Sequence, residues 1–94
     1  MVEITWSEDA RENLIDIFDF ISKDSIHYAN KEIQLITNRV KILQGFPMSG
    51  KIVPEIKKEN VRELIEGSYR IVYEIFSEHA ITILTVHHSS KLLK

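Results

Sequence analysis

Apolar and polar positions follow two different periods along this chain, and the period changes twice. Val2, Ile4 and Trp6 alternate with Glu3 and Thr5, which predicts a short strand with one buried face. From residue 7 the period lengthens. Ser7 offers a hydroxyl to free backbone N–H groups, and Glu8 and Asp9 meet the positive end of a helix dipole, so a helix is predicted from there to about residue 22. Its apolar positions Ala10, Leu14, Ile17, Phe18 and Ile21 form one stripe, with Glu12, Asp16 and Asp19 elsewhere. Lys23, Asp24 and Ser25 break the pattern and supply a second N-cap. Ala29, Ile33, Ile36, Val40 and Leu43 then repeat the stripe to about residue 44, where Gly45 predicts a stop. A connection this short packs the two helices antiparallel.

Residues 46–51, Phe-Pro-Met-Ser-Gly-Lys, cannot continue a helix, and the stretch to Asn60 reads as a loop or edge segment. Three strands follow over residues 61–65, 69–76 and 80–87, separated by turns at 66–68 and 77–79, so successive antiparallel hairpins are expected. Tyr69, Ile71, Tyr73 and Ile75 share one face of the middle strand, and Arg70, Val72, Glu74 and Phe76 share the other. With both faces partly apolar the strand is central. One face lies under the helix pair, and the other must form a concavity or be covered by a partner. The expected fold is α+β, with an N-terminal strand and a two-helix antiparallel hairpin packed on a C-terminal three-stranded antiparallel sheet. At 94 residues, positions 1–94 are expected to make one domain.

Composition narrows the class. The chain is 44% hydrophobic and 28% charged, close to ordinary globular proteins. No apolar run reaches the roughly 18 residues of a membrane span and no leader pattern opens the sequence, so a cytoplasmic protein without membrane contact is expected. The lack of cysteine removes disulfides, thiolate metal sites and thiol nucleophiles together. The net charge of −2 conceals an asymmetry: residues 1–38 sum to −5 and residues 39–94 to +3. Contact with nucleic acid therefore needs a local basic patch; an ordinary solvated surface explains the same charges.

Four blocks in the second half carry a resemblance: Gly50-Lys51-Ile52-Val53-Pro54-Glu55, Val61-Arg62-Glu63-Leu64, Tyr69-Arg70-Ile71-Val72-Tyr73, and Ile81-Thr82-Ile83-Leu84-Thr85-Val86-His87-His88. In this order, with the strand ending at Trp6-Ser7 and the Ala10-Leu14-Ile17 helix, the whole chain resembles the RelE/ParE toxin superfamily. The resemblance implies an antiparallel sheet carrying an N-terminal strand and a helical hairpin, as the periodicity does independently. It implies a toxin partnered by a cognate antitoxin in a hetero-oligomer, with no cofactor and no metal. It also implies one of two targets: RelE-like members cleave messenger RNA in the ribosome, and ParE-like members poison DNA gyrase.

A metal-independent ribonuclease must deprotonate a ribose 2′-hydroxyl, stabilise a phosphorane and protonate a leaving oxygen, which requires cations and an acid–base pair aimed at one phosphate. Arg62 and Arg70, on neighbouring strands, are candidates for bidentate phosphate contacts; equally, they form ion pairs with Glu63, Glu74 or Glu55 that fix the sheet. His87 and His88 are acid–base candidates, but alternation sends their rings to opposite faces, and a hydrogen-bonded structural role accounts for either. His27 and His79 fall at a helix start and a turn and form no metal motif with them. The resemblance puts Arg70 where RelE-like toxins keep a functional arginine, although non-nuclease members share it. Glu63 stands about where RelE-like proteins carry a lysine. The C-terminal arginine and tyrosine of RelE-like nucleases are replaced by Ser89-Ser90-Lys91-Leu92-Leu93-Lys94, in which Lys91 supplies a point charge or a solvated terminus. Glu55 lies in a region where some relatives place a base; capping a turn or pairing with Lys57 or Lys58 is the alternative. These departures favour a ParE-like toxin acting on gyrase, with the ribosome-dependent ribonuclease and a degenerate antitoxin-binding module as rivals.

Overall fold

The computed structural model describes residues 1–90. In chain order the elements are β1 (Glu3–Trp6), α1 (Glu8–Ser22), α2 (Ile26–Val40), a 3-10 turn (Lys41–Gln44), β2 (Lys51–Ile52), β3 (Val61–Glu66), β4 (Tyr69–Ser77) and β5 (Ala80–His88). Both helices start where serine predicts. Ser7 Oγ accepts the Ala10 N–H at 3.0 Å and Ser25 Oγ accepts the Tyr28 N–H at 3.2 Å. The second helix tightens to 3-10 geometry over its last turn before Gly45, within the span predicted for one helix.

The sheet has five strands in the order β1-β5-β4-β3-β2, not three. Two segments outside the predicted hairpins account for the difference. β1 pairs in parallel with β5, Glu3 opposite Ala80 through Trp6 opposite Ile83, because the helical hairpin supplies the long crossover that a parallel pair needs. Lys51 and Ile52, in the segment read as loop or edge, add antiparallel to β3 opposite Glu63 and Arg62. The three predicted strands form the centre as expected.

Both helices pack on one face of this sheet. Ala10, Ile17, Ile36, Val40 and Leu43 meet Leu64, Ile71, Tyr73, Ile81, Ile83 and Val86 in the main core. Leu84 is an extra residue in β5: Val72 faces Thr85 but Tyr73 faces Ile83. This bulge shifts the side-chain alternation by one, so that Ile81, Ile83 and Val86 all reach the helix side while Leu84 turns away. On the opposite face, Val53, Val61 and Val72 form a smaller cluster with Ile56 and Leu84. The chain after β2 thus folds over part of the face that was expected to be open.

Candidate functional site

The turn between β3 and β4 sets the site. Gly67 takes a φ of 57°, and the tight reversal at Gly67 and Ser68 places Glu66 opposite Tyr69, hence Ile65 opposite Arg70 and Glu63 opposite Val72. Arg70 and Glu63 therefore share the face away from the helices. Arg70 Nε donates to Glu63 Oε1 at 2.5 Å; Nη1 and Nη2 donate to Glu55 Oε2 and Oε1 at 2.7 and 2.9 Å. The guanidinium is held by a bidentate carboxylate on one side and a buried carboxylate on the other. Those hydrogen bonds, Glu55 first and then Glu63, raise the Arg70 pKa above its ordinary value. Lys51, well exposed, stands 4.0 Å from Glu63. A shallow groove of about 490 Å³ runs alongside, lined by Lys51, Pro54, Glu55, Ile65 and Arg70 among others. Two carboxylates against one guanidinium leave this spot without the excess positive charge that a phosphate site requires.

Arg62 lies on the other face. It stands opposite Tyr73, and its guanidinium donates to the backbone carbonyls of Glu59, Gly50 and Met48 at 3.0, 2.9 and 3.5 Å. The two arginines proposed as partners on one phosphate are thus separated by the sheet, because residues eight apart across this hairpin fall on opposite sides. The fully buried Tyr73 completes the Arg62 side. Its hydroxyl accepts the Gly50 N–H at 2.9 Å and donates to the Pro47 carbonyl at 2.8 Å. Burial raises the Tyr73 pKa, partly offset by the Gly50 hydrogen bond.

His87 stands opposite Arg70 and His88 opposite Tyr69, so the two imidazoles do face opposite sides as alternation requires. The His88 ring meets Tyr69 edge-on, with centroids 5.9 Å apart, and its Nδ1 is 2.9 Å from Ser90 Oγ. Lys91 lies outside the described residues. Glu55 pairs with Arg70. Of the five candidates, the structure brings Arg70 and His87 into adjacent cross-strand positions and sets Arg62 and His88 apart from them.

Three contributors escaped the sequence reading. Tyr73 and Gly50 stand in the resemblance blocks without an assigned role, and Asn13 lies off the apolar stripe of the first helix. Asn13 on α1 accepts the Val86 N–H at 3.0 Å and the Thr85 hydroxyl at 2.9 Å, fixing the far end of β5. The separation of Arg62 from Arg70 follows from a turn one residue shorter than the predicted 66–68: Glu66 pairs with Tyr69, and that register sends the two arginines to opposite faces. The Glu55 pairing was not legible, because a loop carries no period.

The sequence profile of the ParE toxin family, described as "ParE toxin of type II toxin-antitoxin system, parDE", matches residues 4–93. The chain belongs to the ParE toxin family. A search of curated proteins gives no significant match to this toxin. Among solved structures it is similar to a chain of the chromosomal ParDE system from P. aeruginosa, with a TM-score of 0.76 and 24% identity over 94% of this chain and 96% of that one. It is similar also to a chain of the RelBE2 toxin–antitoxin complex from Mycobacterium tuberculosis, with a TM-score of 0.59 and 22% identity over 93% and 96%. A chain of the heterotetrameric YoeB-YefM toxin–antitoxin complex from Staphylococcus aureus aligns with a TM-score of 0.57 and 17% identity over 94% and 97%. These likenesses establish that the toxin shares their fold. No helix among its described residues is long and apolar enough to cross a membrane.

Proposed function

We propose that this ParE-family toxin arrests growth by binding DNA gyrase, residues 1–94 acting as one cytoplasmic domain, and that it does not cut messenger RNA. The observation that carries this reading is the state of Arg70. The one arginine on the sheet face away from the helices whose position resembles that of a RelE-like functional arginine is engaged along its whole fork by Glu55 and Glu63. A nuclease needs that fork for a phosphate. Arg62 is on the opposite face and spends its donors on backbone carbonyls. A protein that works by occupying a surface of its target needs no such convergence of cations.

An antitoxin is the second partner. The family description pairs the toxin with one, and the similar solved structures are toxin–antitoxin complexes. We take the toxin to be held in a hetero-oligomer with a short protein that covers exposed apolar side chains such as Phe20, Ile15 and Phe46. The ribonuclease reading keeps one observation in its favour, the cross-strand adjacency of Arg70 and His87. Purified toxin incubated with gyrase and supercoiled DNA, and in parallel with translating ribosomes, separates the two. Gyrase-dependent DNA breaks with intact message support the proposal; message cut within the A-site codon with gyrase unaffected reverses it.

A further inference from the structure

We propose that the corner between α2 and β2 is the surface by which this toxin grips its target, docking on an acidic patch of gyrase whose apolar recess seats Phe46 and Met48. This rests on the reading of gyrase as the target.

The corner is both apolar and tightly held. Phe46 and Met48 are 66% and 56% exposed, and with Ile42 and Pro47 they line an open hollow of about 670 Å³, none of whose lining residues is charged. The backbone beneath is fixed at each step. The Phe46 N–H donates to the Ile42 carbonyl at 2.9 Å, and Leu43 is fully buried in the main core. The Tyr73 hydroxyl donates to the Pro47 carbonyl and accepts the Gly50 N–H, and Arg62 donates to the Gly50 carbonyl. A buried tyrosine and an arginine therefore pin the stretch while its large apolar side chains stay in water. Side chains displayed on a backbone already ordered lose little freedom on docking, which favours a partner.

Charge selects that partner. From residue 39 to residue 51 the chain carries Arg39, Lys41 and Lys51 and no carboxylate. Lys51 stands beside Glu63 on the other sheet face, but Arg39 and Lys41 lie in α2 and its last turn next to Ile42, and Arg62 reaches in from β3. Burial raises the Tyr73 pKa, and the Gly50 hydrogen bond and then the charges of Arg62 and Arg39 oppose it, so both guanidinium groups lie near the anchor of the loop. An apolar centre within a basic fringe fits an acidic surface with an apolar recess. A second copy is a poor occupant, since a two-fold contact here sets Arg39 and Lys41 against the same cations. Nucleic acid is another poor one: Arg62 spends its donors on backbone carbonyls, and the wall of the hollow holds no cation. The antitoxin, taken above to cover Phe46, shuts this surface when it neutralises the toxin.

The test uses the full toxin and purified gyrase holoenzyme, with affinity read by titration calorimetry. Phe46→Ser combined with Met48→Ser is expected to weaken gyrase binding by about tenfold or more, with the urea midpoint unmoved because neither side chain is buried. Ile26→Ser, at the far end of α2 and about as exposed as Phe46, is expected to change binding by no more than about twofold. The parent affinity is expected to fall as salt is added, and Lys41→Glu to weaken binding by about threefold or more. Gyrase held equally by the parent and the double variant, an equal loss for Ile26→Ser, or tighter binding by Lys41→Glu overturns this surface while leaving gyrase as the target. Self-association of the toxin that the double variant abolishes, with gyrase binding unchanged, assigns the patch to a second copy and also overturns it. A parent toxin that does not bind gyrase overturns the target reading along with the surface.

Discussion

At the scale of single residues, the Arg70 cluster decides most. Glu63 is 3% exposed, and its partner is the guanidinium. Arg70→Ala leaves a buried carboxylate without that guanidinium, so a loss of about 3–5 kcal/mol in unfolding free energy is expected from urea titration. Arg70→Met combined with Glu63→Leu and Glu55→Leu should recover most of that loss, since desolvated ion pairs are replaceable by apolar packing. An Arg70→Ala protein as stable as the parent would mean that the pairing contributes nothing. Gly50 has no room for a side chain. A Cβ there would sit 2.5 Å from the Tyr73 hydroxyl and 2.7 Å from the Glu63 carbonyl oxygen. Because the second is backbone, Gly50→Ala must displace a strand, at roughly 1–3 kcal/mol, read from the shift in denaturant midpoint. The sequence offers three acids, Glu55, Glu63 and Glu74, as partners for the arginines; only the register, and a loop that folds back over the sheet, decides that Glu55 and Glu63 hold Arg70.

At the scale of elements, both helix entries were legible because a cap is a local contact. They are not equivalent. Ser7 caps α1 and also donates to Leu84, tying the helix to β5, whereas the Ser25 side chain makes only its cap bond to Tyr28. Ser25→Ala should cost about 1 kcal/mol, and Ser7→Ala measurably more in the same thermal or urea series. Equal losses would show that the Leu84 bond is idle. The seam between α2 and the end of β3 predicts a pH effect. Glu32 has one carboxylate oxygen buried with no hydrogen-bond partner among the described residues, and its pKa is raised above 4.5, first by burial and then by Glu66. A carboxyl whose folded pKa is raised binds more protons folded than unfolded in that window, so its charged form weakens the fold as pH rises through the folded value. Glu32→Gln is expected to be more stable than the parent at neutral pH, with the gap closing as pH falls toward 4.5. A parent more stable at neutral pH would contradict the assignment. The two outer strands illustrate what local pattern omits. Glu3–Trp6 read correctly as a strand, but its partner lies some 77 residues away, and a two-residue strand such as Lys51–Ile52 has too few positions to show a period.

At the scale of the whole molecule, the helical hairpin covers one sheet face and the chain after β2 covers part of the other, leaving a surface on which Arg70 is held by Glu55 and Glu63. Such a surface suits recognition of a protein better than cleavage of RNA. That general shape was legible, since the two periods and the ordered blocks both led to it. What the sequence could not convey was the convergence of side chains: Arg62 and Arg70 looked like neighbours and the sheet divides them. The most direct test of the account is the fate of plasmid DNA when purified toxin is mixed with gyrase and ATP. The account predicts double-strand breaks that require both proteins and disappear when the antitoxin is added; DNA that stays intact while the same preparation cleaves ribosome-bound message would contradict it.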